Sequence, residues 1–328
     1  MSVLVTGGAG YIGSVCVELL RRQNIDTVVY DSLIKGHRTA VPADVPFVRG
    51  DTRDAPLLES VIRDYGVSAV MHFAAFIEVG ESMSAPARYY ENNFFGTKTL
   101  LDVMIGAGIE HFIFSSTAAV YGEPREIPIT ESHPTDPTNA YGATKLAVEQ
   151  LLQWYARAYT LRYVSLRYFN AAGATEQHGE NHEPETHLIP LVIQAAMGRR
   201  PDVAIFGTDY PTPDGTCVRD FIHVLDLAEA HLAALLALRE GFTGGVFNLG
   251  NGAGYSVREV IRAVEAVSGR VIPVREAPRR TGDPARLVAS SEKIRRELGW
   301  IPRRQQLTEI IASAWQWHQA HPDGYADR

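Results

Sequence analysis

The stretch Ser2-Val3-Leu4-Val5-Thr6-Gly7-Gly8-Ala9-Gly10-Tyr11-Ile12-Gly13-Ser14 decides the fold. Ser2 to Thr6 reads as a buried strand, and the residues from Tyr11 to about Arg22 repeat apolar positions at helical spacing. Between them Gly7 permits a tight turn, Gly10 lets a pyrophosphate approach the backbone, and Gly13 lets helix and strand pack closely. The helix start adds free N–H groups and the positive end of its dipole. A second strand, Thr27 to Tyr30, ends at Asp31, where a carboxylate can accept hydrogen bonds from the hydroxyls of an adenosine ribose. That acid would repel a ribose phosphate, so the turn predicts NAD rather than NADP, with Lys35 and Arg38 nearby as opposing charges.

Downstream, strands at Pro46 to Arg49, Ala69 to Phe73, His111 to Ser115 and Arg162 to Phe169 alternate with helices at Ala55 to Tyr65, Pro86 to Gly106 and Tyr141 to Tyr159. This order predicts an α/β doubly wound parallel sheet of the Rossmann type. After Asn170 the texture changes, with a His-, Glu- and Gly-rich stretch at Gly173 to Pro190 and an acidic, Pro-containing loop at Thr208 to Gly215. We expect a dinucleotide domain over residues 1–172 and a smaller C-terminal substrate domain mainly over 173–328. A return segment near 223–250 would carry the helical Leu225 to Leu238 and the strand-like Gly245 to Leu249 back to the main sheet.

Composition narrows the class. The chain has 328 residues, 45% hydrophobic and 21% charged, enough for a large core or two domains. Apolar runs such as Leu232 to Leu238 are too short for a bilayer, and the N-terminus enters a strand without a signal-like region, so a cytoplasmic protein without a membrane partner is expected. Its two cysteines, Cys16 and Cys217, read as buried fillers rather than a disulfide. A net charge of -7 argues against nucleic acid as the main partner.

Tyr141 and Lys145 lie four residues apart and share one face of the expected helix. A free phenol ionises near pH ~10, so a neighbouring cation that favours the phenolate would let Tyr141 exchange protons at neutral pH. The strand His111 to Ser115 runs into Ser116-Thr117 at its carboxyl end, where ligands of open α/β sheets bind. Thr117, Tyr141 and Lys145 thus converge by topology. His178 and His182, with Glu180 and Glu183 beside them, have metal-ligand residue types, but Gly179 and Pro184 oppose the helix that spacing would need; no metal site is expected.

These motifs identify the chain as resembling the extended short-chain dehydrogenase/reductase family, and within it the UDP-glucose (UDP-galactose) 4-epimerases, essentially end to end. The resemblance rests on the glycine turn, His72-Phe73-Ala74-Ala75, Val79-Gly80-Glu81-Ser82, Tyr89 to Asn93, Phe112 to Gly122 and the Tyr141/Lys145 pair. In the second half it rests on Leu166 to Asn170, Phe206-Gly207 with Asp209 to Thr212, Val218 to Val224 and Pro278 to Asp283.

The resemblance implies a retained NAD, a 4-keto sugar intermediate, Tyr141 as the base at the C4 hydroxyl, Lys145 on the nicotinamide ribose holding Tyr141 ionised, and Thr117 as a proton shuttle. It places NAD against Gly7, Gly10, Tyr11, Ile12, Gly13, Asp31, Asp51, Phe73, Asn92, Lys145 and Phe169. It places the UDP-sugar against Thr117, Tyr141, Asn170, His187, Leu188, Phe206, Arg219, Arg280, Asp283 and Leu287, and it implies a homodimer. Arg219 and Arg280 would hold the pyrophosphate, whose geometry suits a guanidinium fork.

Two departures stand out: Ile77 replaces a lysine that reaches the cofactor phosphates in some members, and His187 replaces an asparagine. Dehydratases and decarboxylases of the superfamily place an acid beside the Ser/Thr; Thr117-Ala118-Ala119 has none. Epimerases of UDP-N-acetylglucosamine, UDP-xylose/arabinose or UDP-glucuronate remain the alternative substrates, and a non-enzymatic dinucleotide sensor, which would be expected to lose Tyr141, Lys145 or Thr117, the alternative class.

Overall fold

A computed structural model describes residues 2–280 and 283–326, so Thr281 and Gly282 of the Pro278 to Asp283 motif lie outside the described residues. Six strands, β1 (Ser2–Thr6), β2 (Asp26–Asp31), β3 (Phe47–Arg49), β4 (Val67–His72), β5 (His111–Thr117) and β6 (Arg162–Tyr168), form one sheet with the strand Gly244–Leu249. The spatial order is Gly244–Leu249, β6, β5, β4, β1, β2, β3, and every neighbouring pair is parallel. Val3, Leu4 and Val5 of β1 are fully buried, as a central parallel strand covered on both faces requires. Strand order reverses at β1, which has β2 on one side and β4 on the other, so a crevice opens there beyond the carboxyl ends.

Helices cover both faces. On one, the helix Tyr11–Arg22 packs against the helix Val224–Arg239, burying Val17, Leu20, Leu227, Ala230 and Ala234. On the other, the helices Ala55–Asp64, Gly96–Gly106 and Ala140–Ala158 bury Leu58, Leu100, Met104, Val148 and Leu152. Periodicity predicts one regular helix from Pro86 to Gly106; instead a π-helical turn, Tyr90–Phe95, interrupts it. Asn93 lies in that turn, and its amide bonds the backbone N–H and C=O of Phe76 at 2.8 and 3.0 Å. Asn92, beside it in the same turn, lies on the wall of the crevice.

The remaining residues build a second core from the helices Leu188–Ala196, Val257–Ser268 and Leu307–Ala320, which bury Val192, Ile193, Val260, Val264, Ile310 and Ile311. Three small sheets border it. Val203–Phe206 pairs with Val274–Ala277, Val218–Arg219 lies between Tyr255–Ser256 and Arg286–Leu287, and Asn170–Ala172 pairs with Phe221–His223. The last of these starts two residues after β6, so the main sheet's edge leads directly into the second core.

Candidate active site

The glycine turn is shaped as its spacing predicts. Gly7 has φ +74° and a side chain there would meet Ala74 N at 2.5 Å, while a Cβ on Gly13 would fall 2.2 Å from Gly7 O. The helix starts at Tyr11 without a side-chain cap, which leaves its first N–H groups for an anion. Above it an open cleft of ≈ 570 Å³ is lined by Gly7, Gly10, Asp31, Asp51, Phe73 and Asn92 among others.

Asp31 closes one end of this cleft. Its Oδ2 accepts Ala9 N–H at 3.0 Å and its Oδ1 accepts Leu33 N–H at 2.8 Å; burial nevertheless raises its pKa. Of the cations beside it, Arg38 sits over the Phe47 ring and donates to Val41 O at 3.0 Å. Lys35 lines the cleft but is ion-paired to Glu78 and donates to Glu183 O at 3.2 Å. Asp31 therefore keeps its negative character toward a ribose. Asp51 is on the cleft wall with its carboxylate held by Arg53 at 2.9 and 2.7 Å, which pulls its pKa down.

This constellation passes the steric and chemical test for a dinucleotide: a cradle that any Cβ would fill, an uncapped helix start, and a buried acid at the next strand end. The other expected cofactor residues border the cleft rather than line it. Tyr11 sends its hydroxyl to Gly173 O at 2.6 Å, Ile12 packs into the core, and Phe169 packs against the cluster around Ala118 and Tyr121.

β5 delivers Thr117, and the helix Ala140–Ala158 delivers Tyr141 and Lys145 to the same point. Asn139 caps that helix, its Oδ1 accepting Gly142 N–H at 2.8 Å. Gly142 is a positional requirement that the sequence reading passed over: a Cβ there would lie 2.6 Å from Ala119 O, so only glycine lets the helix start approach the end of β5. The Tyr141 phenol lies by the Thr117 hydroxyl, which works to lower its pKa, and Thr117 Oγ1 accepts Ala119 N–H at 3.1 Å.

Lys145 is buried; its ammonium donates to Ser115 O at 2.9 Å and lies 4.9 Å from the Phe114 ring centre. Burial lowers its pKa to about 7, partly opposed by Glu149. Burial pushes Tyr141 up to about 12, the Thr117 bond pulling it down and Glu78 adding to the rise. Lys145 thus meets a backbone carbonyl, and its own desolvation is the largest influence on its charge.

Beneath this trio lies a buried network absent from the sequence reading. Glu149 accepts Ser116 O–H at 2.5 Å and Arg167 Nε–H at 3.0 Å; Arg167 Nη1 donates to Tyr121 Oη at 2.9 Å, and Tyr121 donates to Asn248 Oδ1 at 2.7 Å. The available signal was Glu149 four residues after Lys145, an acid on the same face as the Tyr141/Lys145 pair.

On the substrate side, Arg219 is ion-paired to Asp283 and donates to Pro284 O at 2.9 Å. Arg280 lies 4.0 Å over the Phe206 ring, and Asn170 donates to Asp220 O at 3.1 Å. Leu188 opens the helix Leu188–Ala196, and His187 before it turns its Nδ1 to Glu180 and Glu185. Leu287 packs on the Ala118, Val120, Tyr121 and Ile129 cluster, whereas its neighbour Arg286 is exposed.

A family model described as "NAD dependent epimerase/dehydratase family" matches residues 3–250. The chain belongs to that family. It is 54% identical over 328 residues to a UDP-glucose 4-epimerase of Halalkalibacterium halodurans, covering 99% of this chain and 98% of the relative. The crystal structure of UDP-glucose 4-epimerase from Brucella ovis in complex with NAD superposes with TM-score 0.93 at 46% identity, covering 96% and 97% of the two chains. The Bifidobacterium longum enzyme in complex with NAD+ and UDP superposes with TM-score 0.92 at 39% identity, covering 99% and 100%. The family uses NAD, and the doubly wound fold expected from the sequence is the fold that these structures share.

Proposed function

We propose that the protein interconverts UDP-galactose and UDP-glucose, using an NAD held in the cleft above the glycine turn. The observation that carries this is the Thr117–Tyr141 hydroxyl pair at the end of β5, beside Lys145, in a chain that matches UDP-glucose 4-epimerases along its whole length. When bound, NAD supplies a hydride acceptor and donor for the sugar C4 and a positive ring charge beside Tyr141. Tyr141 takes the proton of the C4 hydroxyl, and a 4-keto sugar results.

Bringing a phenol from about 12 to neutrality asks for about 7 kcal/mol of selective phenolate stabilisation. Lys145 contributes by donating to the ribose side of the cofactor once drawn from Ser115 O, and Thr117 contributes by donating to the phenolate oxygen. Thr117 also bridges Tyr141 to the C4 oxygen when the sugar presents its other face. Asp31 and Asn92 orient the cofactor, Arg219 and Arg280 bind the diphosphate, Asp283 the uridine ribose and Phe206 the uracil. Asn170, His187 and Leu188 complete the sugar-nucleotide wall. For Arg219 and Arg280 this means exchanging present partners, Asp283 and the Phe206 ring, for phosphate oxygens. Initial rates with UDP-galactose, UDP-N-acetylgalactosamine, UDP-xylose and UDP-glucuronate test the assignment; the first should be fastest.

Protein purified without added cofactor is expected to release NAD(H) on denaturation, because the reaction must keep the reduced cofactor through a turn of the sugar. Release of none, with activity that depends on added NADP, would overturn the reading of Asp31.

The family resemblance favours a second substrate. Leu287 lies against the cluster that carries Ala118, and it stands where relatives confined to unmodified hexoses carry a Tyr beside the sugar, so a smaller side chain here would admit an N-acetyl group. Wild type should epimerise UDP-N-acetylglucosamine at a measurable rate, and Leu287→Tyr should lose that activity relative to UDP-glucose. Equal loss on both sugars would remove Leu287 as the selector.

Tyr90, Phe95, Trp154 and Tyr159 expose apolar rings on or next to the helices of the face that bears Tyr141, with Trp154 64% exposed. We assign this face to a two-fold homodimer contact. Light scattering at micromolar concentration should give twice the chain mass; a monomer mass would refute it. Among the described residues no helix is long and apolar enough to cross a membrane. Both cysteines are free and buried, which agrees with a reducing cytoplasmic setting.

A further inference from the structure

The loop that precedes the helix Leu188–Ala196 contains Gly179 and Pro184 and is not helical, so ligand spacing on a helix does not apply to it. The fold instead gathers four of its side chains. One ligand atom each from Glu180, His182, Glu185 and His187 lies within 4.8 Å of the others. His178 is turned away and bonds Glu18 at 2.7 Å and Ala40 O at 2.9 Å.

The separations are informative. His187 Nδ1 is 2.9 Å from Glu180 Oε1 and 3.0 Å from Glu185 Oε1, and His182 Nδ1 is 3.3 Å from Glu180 Oε1 and 3.8 Å from Glu185 Oε2. Four ligands at ~2.0–2.2 Å from one tetrahedral ion stand ~3.3–3.6 Å apart; the two separations from Glu180 Oε1 are near that edge, and a turn of the Glu185 carboxylate would present one oxygen to both imidazoles. His182 Nδ1 is buried and has no hydrogen-bond partner although a carboxylate oxygen is 3.3 Å away. Two donors that face a common point rather than each other have that relation. The Glu180 and Glu185 side chains are only 7% and 6% exposed, and among the described residues neither meets a lysine or arginine. Two buried carboxylates between imidazoles are a charge arrangement that a divalent cation balances.

We propose that Glu180, His182, Glu185 and His187 form a closed site for one divalent transition metal of zinc's class. Four protein ligands leave no open position, so the ion is structural. It ties the loop to the start of the Leu188–Ala196 helix, beside Tyr11, whose ring meets His182 edge-on at 6.3 Å and whose hydroxyl holds Gly173 O. Thr186 and His187 N–H groups, donating to Glu185 Oε1 at 2.7 and 2.8 Å, orient that carboxylate as a supporting shell.

The test uses the full chain with its cofactor. After treatment with a chelator and desalting, the protein is mixed with Zn²⁺, passed through a sizing column and assayed for bound zinc by mass spectrometry, with Tm recorded in parallel. Wild type should retain about one zinc per chain and show a raised Tm. His182→Gln and Glu185→Gln should each bind zinc about 10–100-fold more weakly and lose the Tm response. Circular dichroism checks each variant for folding, and if one does not fold the other is decisive. Wild type that retains no zinc, or variants that retain as much as wild type, would overturn the site; the second result would assign the zinc to other surface histidines.

Discussion

Tyr141→Phe is expected to lower kcat with UDP-galactose by about 10²–10⁴-fold while NAD remains bound. The substitution removes one hydroxyl, the one beside Thr117, and leaves the ring in place. No other phenol described here replaces it: Tyr121 is committed to Asn248 and Arg167, and Tyr168 is bonded to Ser115. Because the interaction is made in the proton-transfer step, kcat and kcat/KM should fall together. Thr117→Ala should be milder, since Tyr141 can still reach one orientation of the sugar. A coupled assay with NAD content measured on the same sample decides the matter, and near-wild-type turnover in the phenylalanine variant would falsify the assignment of Tyr141 as the base.

Glu149→Ala is expected to destabilise the fold by about 3–5 kcal/mol, the cost of leaving a buried ionic partner uncompensated. Glu149 is 1% exposed and Arg167 6% exposed, and the guanidinium meets the carboxylate through both Nε and Nη2. The loss strikes the sheet itself, because Arg167 lies in β6 and Ser116 in β5, so both strands' carboxyl ends are pinned by this acid. Urea unfolding of the purified protein should show a lowered midpoint.

Glu149→Gln separates charge from shape. Glu149 opposes the burial that lowers Lys145, so removing its charge should drop Lys145 further below about 7 and move the pH dependence of turnover with it. An unchanged midpoint for the alanine variant would mean that Arg167 finds water or another acceptor.

Much of this was legible in the sequence. Gly7, Gly10 and Gly13 at fixed spacing between an apolar strand and a helix point to a phosphate-binding turn, and the close fit of Gly13 on Gly7 O is local, whereas that of Gly7 on Ala74 is not. Alternating strands and helices with short connections leave few topologies other than a doubly wound parallel sheet. Tyr141 and Lys145 share a helix face because four residues make about one turn. In each case the controlling distance lies within a single element or between neighbouring ones.

Local pattern therefore accounts for the fold class, the dinucleotide turn and the pairing of Tyr141 with Lys145. Only the tertiary structure decided that Lys145 spends its charge on Ser115 O, that Gly142 must be glycine, that Glu149 and Arg167 underpin the site, and that Glu180, His182, Glu185 and His187 meet. The physical reason is that these depend on burial and on contacts between segments distant in the chain. Desolvation moves Tyr141 to about 12 and Lys145 to about 7 only once the packed protein has excluded water around them, and no local pattern encodes that exclusion.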